Sequence, residues 1–134
     1  MSPVTKKFLL LCVLAVLSVN NVLGKVHVKI TNSLTNKLDL TIHCKSEDDD
    51  LGVHLLHPNE SFSFQFKRKF FGGTLFYCSF QWNNELYRFD IYKQTRDVQA
   101  GDDFNWSIKE SGPCVTIVYS TQPFCHPWNP KFLM

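Results

Sequence analysis

The chain has 134 residues, 44% of them hydrophobic, with 14 Lys plus Arg against 12 Asp plus Glu and a formal net charge of +2. That length allows one domain built around a single core. So small a charge provides no field to gather nucleic acid or an anionic membrane, and neither is expected as a partner.

Residues 1–24, MSPVTKKFLLLCVLAVLSVNNVLG, set Lys6 and Lys7 ahead of an apolar run from Phe8 to Val19 and close with Val22 and Gly24 at cleavage offsets. This is the pattern of a secretory signal peptide. The run stops short of the ~20 apolar residues of a membrane span and has no positive stop-transfer flank, so membrane insertion is not expected. Removing the segment leaves residues 25–134 as one domain of 110 residues (134 − 24), secreted and extracellular. Lys6 and Lys7 depart with it, so 12 cations (14 − 2) then balance 12 acids. Cys12 departs as well, leaving Cys44, Cys78, Cys114 and Cys125. An even count in a small secreted domain points to two disulfides, with three pairings open. No two of the four are spaced as CxxC, which argues against zinc.

Alternation dominates the remaining chain. VHVKITN turns Val26, Val28 and Ile30 to one side, and LDLTIHC does the same with Leu38, Leu40, Ile42 and Cys44; both are half-buried strands. A short strand is expected over 53–56. SFSFQFK aligns Phe62, Phe64 and Phe66, and TLFYCSFQW aligns Phe76, Cys78, Phe80 and Trp82. Further strands fall at LYRFDIY, at FNWSI and at CVTIVY from Cys114. Breakers separate them at 32–37, HPNE 57–60, FGG 71–73, NNE 83–85 and ESGP 110–113. Seven to eight short strands without a helical period predict an all-β fold, a small antiparallel β-sandwich stabilised by disulfides. Most of the aromatic residues then belong to its core.

HCKSEDDDLG, 43–52, is the densest charge cluster. An EF-type calcium loop needs a glycine at its sixth position and a bidentate Glu at its twelfth. Counted from Asp48, glycine comes fifth and Asn59 twelfth, with strands on both sides. The expected role is instead an exposed turn, anchored by Cys44, reversed at Gly52, with Asp48 to Asp50 solvated. No GxSxG, HExxH or phosphate-binding glycine loop occurs, and His27, His43, His54, His57 and His126 are scattered. No catalytic residue, metal ligand or cofactor is therefore assigned, and the chain is not expected to be an enzyme. Two N-glycosylation sequons remain, Asn59-Glu60-Ser61 in a turn and Asn105-Trp106-Ser107 in a strand, of which Asn59 is the better acceptor.

HCKSEDDDLG, FFGGTLFYCSFQW, FDIYKQTRD and WSIKESGPC, in this order and spacing, strongly resemble the plant self-incompatibility protein S1 family, the S-protein homologues. The match runs from about Val26 to Cys114. The resemblance implies a small secreted β-sandwich. Its founding stigma proteins act as extracellular ligands of a pollen membrane receptor, so it also implies a plant plasma-membrane receptor as partner. It points to the polar connection KQTRDVQAGDD, 93–103, as the contact loop, with Arg96 and Asp97 as partner-binding residues.

Many relatives carry a CxxC before the Trp that stands here at 106, where this chain has Gly101 and Phe104. Cys78 then lacks its usual partner and Cys125, in QPFCHPW, could replace it. The expected map is Cys44 with Cys114 and Cys78 with Cys125, the sulfurs pointing into the sandwich to join sheets or pin the tail. A lectin-like glycan binder using Trp128 is the alternative function, and a secreted enzyme ranks third.

Overall fold

The computed structural model describes residues 2–22, 24–69 and 73–131. Helix α1, Pro3–Val22, holds the N-terminal apolar run; its side chains from Pro3 to Leu14 are exposed and none of them joins the core. No described helix is long and apolar enough to cross a membrane.

Every alternating segment becomes a strand: β1 Lys25–Asn32, β2 Leu40–Lys45, β3 Asp50–Leu56, β4 Ser61–Lys67, β5 Leu75–Trp82, β6 Glu85–Lys93, β7 Asp103–Lys109 and β8 Gly112–Ile117. A further strand, β9 Ser120–Cys125, follows. Its residues are all exposed and carry no alternation signal, which is why it escapes sequence reading. The strands form two sheets ordered β4-β1-β7-β8-β9 and β3-β2-β5-β6. All pairings are antiparallel except β1 with β7, which is parallel. A parallel pair needs a long crossover, and here the whole chain between 33 and 102 provides it, a non-local pairing that no local pattern announces.

The core lies between the sheets. Val26, Val28 and Ile30 of β1, Phe104, Trp106 and Ile108 of β7 and Leu40 and Ile42 of β2 are at most 2% exposed. Phe62, Phe64 and Phe66 line the inner face of β4, half-buried, and Phe66 meets Phe76 and Tyr92 with centroids 4.5 and 4.9 Å apart. Asn32, fully buried, donates from Nδ2 to the Leu38 and Leu56 carbonyls, both at 2.9 Å, while its Oδ1 accepts the Leu34 N–H. It thus satisfies three backbone groups and ties the end of β1 to β3 in the opposite sheet. Asn83 and Asn84 connect β5 to β6 with φ of 51° and 60°, the doubly left-handed turn that matches strand twist and that Asn tolerates. Phe71 and Gly72 of the FGG breaker lie outside the described residues.

The disulfides differ from the expected map. Cys44 is bonded to Cys78 and Cys114 to Cys125. Cys44 and Cys78 are direct cross-strand partners on β2 and β5 and face the core. Cys114 and Cys125 are direct partners on β8 and β9. Cys114 shares register with Ser107, so this bridge lies on the outward side of its sheet. Each bond therefore staples neighbouring strands of one sheet and neither joins the two. Alternation identifies the face on which a cysteine lies, not the strand that pairs beside it. Nor does Cys78 lack a partner through the residues at Gly101 and Phe104.

Candidate functional site

The polar connection after β6 is not an open loop. It forms a short helix α2, Gln94–Asp97, and a 3-10 turn, Val98–Ala100. Asp97 is only 6% exposed. Its carboxylate accepts the Lys93 N–H at 2.8 Å and the Arg96 guanidinium at two atoms, Nε at 2.6 Å and Nη2 at 2.7 Å. Arg96 also donates to the Asp90 carbonyl at 2.8 Å and lies 5.1 Å from the Phe89 ring centroid and 5.7 Å from that of Trp106. Arg96 and Asp97, expected as partner-binding residues, are thus not free on an open loop: Asp97 is buried and Arg96 half-buried, and the bidentate pair with its aromatic bed fastens the helix to the sandwich. Composition marks the segment as polar, but only the fold decides that its acid is buried.

The acidic stretch is a turn, closed by the Ser46 N–H on the Asp49 carbonyl at 2.8 Å and by Ser46 Oγ accepting the Asp49 N–H. Gly52 does not reverse the chain. With φ of +80° it occupies a bulge in β3, where the register to β2 shifts between the His43–Val53 and Lys45–Asp50 pairs. Asp48 and Glu47 share Lys69, at 2.9 and 3.3 Å, and Asp50 accepts from His43 at 2.6 Å. The Gly52 N–H, then the His43 hydrogen bond, hold the Asp50 carboxyl below its ordinary range.

Beyond Cys125 the tail crosses from one sheet to the other. The His126 N–H bonds the Pro113 carbonyl, the Asn129 N–H bonds the Arg88 carbonyl and Trp128 Nε1 donates to the Glu110 carbonyl at 2.9 Å. Trp128, assigned above to glycan contact, is instead half-buried against Phe80, Trp82 and Tyr87. His126 packs beside Phe89 and Trp106, and burial, then the Arg96 charge, lower its pKa. Asn59 is exposed in its turn with φ of 66°, and Asn105 is exposed at mid-β7.

A largely apolar cleft of about 430 Å³ opens between α2 and the β8–β9 hairpin, with Phe104, Val115, Ile117 and Phe124 in its lining and Arg96, Asp97 and His126 on its polar wall. At the hairpin tip Val118 and Tyr119 form a two-residue connection and are 72% and 81% exposed; Phe124 is 65% exposed. The Tyr119 ring lies over Gly101. Neither tip residue has positive φ, whereas such connections ordinarily take Gly or Asn in the left-handed region. These residues read in sequence as the end of a core strand. The signal that could have separated them is the mismatch between bulky apolar residues and a turn immediately before Ser120.

A family model described as plant self-incompatibility protein S1 matches residues 27–128. The chain belongs to that family. Among S-protein homologues of Arabidopsis thaliana, it is 50% identical to S-protein homolog 2 over 110 residues, covering 76% of this chain and 67% of the relative. It is 39% identical to S-protein homolog 29 over 110 residues, covering 81% and 82%. A solved structure of SPH (self-incompatibility protein homologue) proteins, described as a widespread family of small, highly stable, secreted proteins from plants, superposes with a TM-score of 0.58. It is 18% identical and covers 79% of this chain and 96% of its own, a likeness of fold. In this S1-family chain Arg96 and Asp97 form part of the wall of the cleft beside the hairpin tip.

Proposed function

We propose that this S1-family protein is secreted after loss of residues 1–24 and acts as a non-catalytic extracellular ligand of a plant plasma-membrane receptor, presenting the β8–β9 hairpin tip. The observation that carries the reading is Val118 and Tyr119, two bulky apolar side chains side by side at a hairpin tip, 72% and 81% exposed. Exposed aromatics beside an apolar cleft are the usual anchors of protein interfaces. Secretion is supported by the N-terminal pattern and by the solved structural neighbour, described as a secreted plant protein.

The test is saturable binding of labelled protein to plant plasma membranes. Tyr119→Ser with Phe124→Ser should leave far-ultraviolet circular dichroism and the cooperative thermal transition in place and weaken binding by about thirtyfold, the effect of a lost ~2 kcal/mol anchor. Unchanged binding by the folded variant would remove the hairpin from the proposal. Glycan binding through Trp128 loses support because that ring packs on the core.

A further inference from the structure

The two outer faces of the sandwich differ. On the four-stranded sheet, Val53, Leu55 and Tyr77 stand exposed. On β4, β1 and β7 of the other sheet every outward side chain is polar or charged. Four of them are lysines, Lys25, Lys29, Lys67 and Lys109, against one acid, Asp103. The lysine and arginine ion pairs among the described residues engage Arg68, Lys69, Arg96 and Lys131, and none of these four. Lys25 and Lys67 are direct cross-strand partners, a like-charge juxtaposition that costs stability. A shallow groove of about 740 Å³ runs along the same face, with His27, Lys29, Ser63, Gln65 and Asn105 in its lining together with the one acid, Asp103, and Val118 at its end; Lys25 and Lys67 flank it.

We infer that this face binds an acidic polysaccharide, its carboxylates against Lys25, Lys29 and Lys67 and its hydroxyls against Ser63, Gln65 and Asn105. Charge complementarity selects a polyanion, and the groove's hydroxyl and amide groups match sugar hydroxyls. β1, β4 and β7 turn no Phe, Tyr or Trp outward as a platform on which bases could stack, as single-stranded nucleic acid requires. Among the groove's lining residues Val118 is the exposed large apolar side chain, too little by itself to enter a bilayer. The groove ends against Val118 at one side of the hairpin tip, but the lysines that carry the inference lie on β1 and β4, away from Tyr119 and Phe124, so their replacement tests this site and not the receptor reading. It requires Asn105 to be free of glycan, because a chain attached there would fill the groove.

The experiment uses the secreted protein carrying Ser107→Ala, which removes the Asn105 sequon, with immobilised polygalacturonate as the probe and dextran and anionic lipid vesicles as comparisons. Retention on polygalacturonate alone, abolished by salt as exposed charges are screened, is expected. Lys25→Gln with Lys29→Gln and Lys67→Gln should weaken retention roughly fivefold per lysine, the usual effect of a cation at a polyanionic surface. Lys37→Gln with Lys45→Gln and Lys93→Gln, placed elsewhere, should change it little. Equal losses in the two triple variants, no retention, or equal binding to the vesicles would overturn the assignment.

Discussion

Replacing Asp97 by Ala separates a structural lock from a contact residue. The substitution removes the acceptor of the Lys93 N–H at 2.8 Å and of two Arg96 nitrogens at 2.6 and 2.7 Å. Breaking a fully buried ion pair costs about 3–5 kcal/mol, and an exposed one about 0–1. The Asp97 side chain is 9% exposed and that of Arg96 27%, so solvent recovers part of the loss on the arginine side. The cost should be ~3 kcal/mol, against a total of about 5–15 kcal/mol for a domain. At about 4 °C per kcal/mol for a chain of this size, the thermal midpoint should fall by ~12 °C. Urea unfolding followed by tryptophan fluorescence measures the same quantity. Asp97→Asn, which keeps an oxygen for the Lys93 N–H but not the charge, should fall between. An Asp97→Ala protein within about 0.5 kcal/mol of the parent, but impaired in membrane binding, would refute the lock and restore Asp97 as a contact.

Removing the bridge between Cys44 and Cys78 by paired Ser substitution should cost ~4 kcal/mol in the chain-entropy treatment for a separation of 34 residues, and removing that between Cys114 and Cys125 ~3 kcal/mol for 11. Peptide mapping of unreduced protein should yield only these two pairs. Gly112→Ala would drive its new Cβ into the His126 carbonyl at a φ of +146°, so the tail should detach, Trp128 fluorescence shift to the red and stability fall by ~2–4 kcal/mol. The Asp39 hydrogen bond and charge, then Glu60, raise the His57 pKa. Its contribution is therefore full below the unfolded value near 6.5 and lost as pH rises through the folded one. His57→Gln should remove that gain on acidification, read from unfolding midpoints between pH 5.5 and 8. Asn59→Gln should delete the glycan of the secreted protein, whereas Ser107→Ala should leave its mass on a denaturing gel unchanged.

The strand periods were legible because side chains alternate locally: Val26 to Ile30, Phe62 to Phe66 and Phe76 to Trp82 each report one buried face without knowledge of any partner. Turn chemistry was legible at Asn83 and Asn84 for the same reason. Four separated motifs also sufficed for the family. The surroundings of the polar connection and of the last strand were far less so. Nothing in TRD distinguishes an exposed ion pair from one folded onto Phe89 and Trp106, and nothing in IVYSTQPF gives β9 an inner side, since all its residues remain exposed.

By itself, the sequence determined the β class, the positions of eight strands and the inward set of side chains, because these depend on residues a few positions apart. Tertiary structure alone decided that β1 lies parallel to β7, that Cys44 meets Cys78, that Trp128 closes the core and that Asp97 is buried. Each of these depends on which strand becomes whose neighbour. That outcome is settled by the packing of both sheets together, and it leaves no local period for a single segment to display.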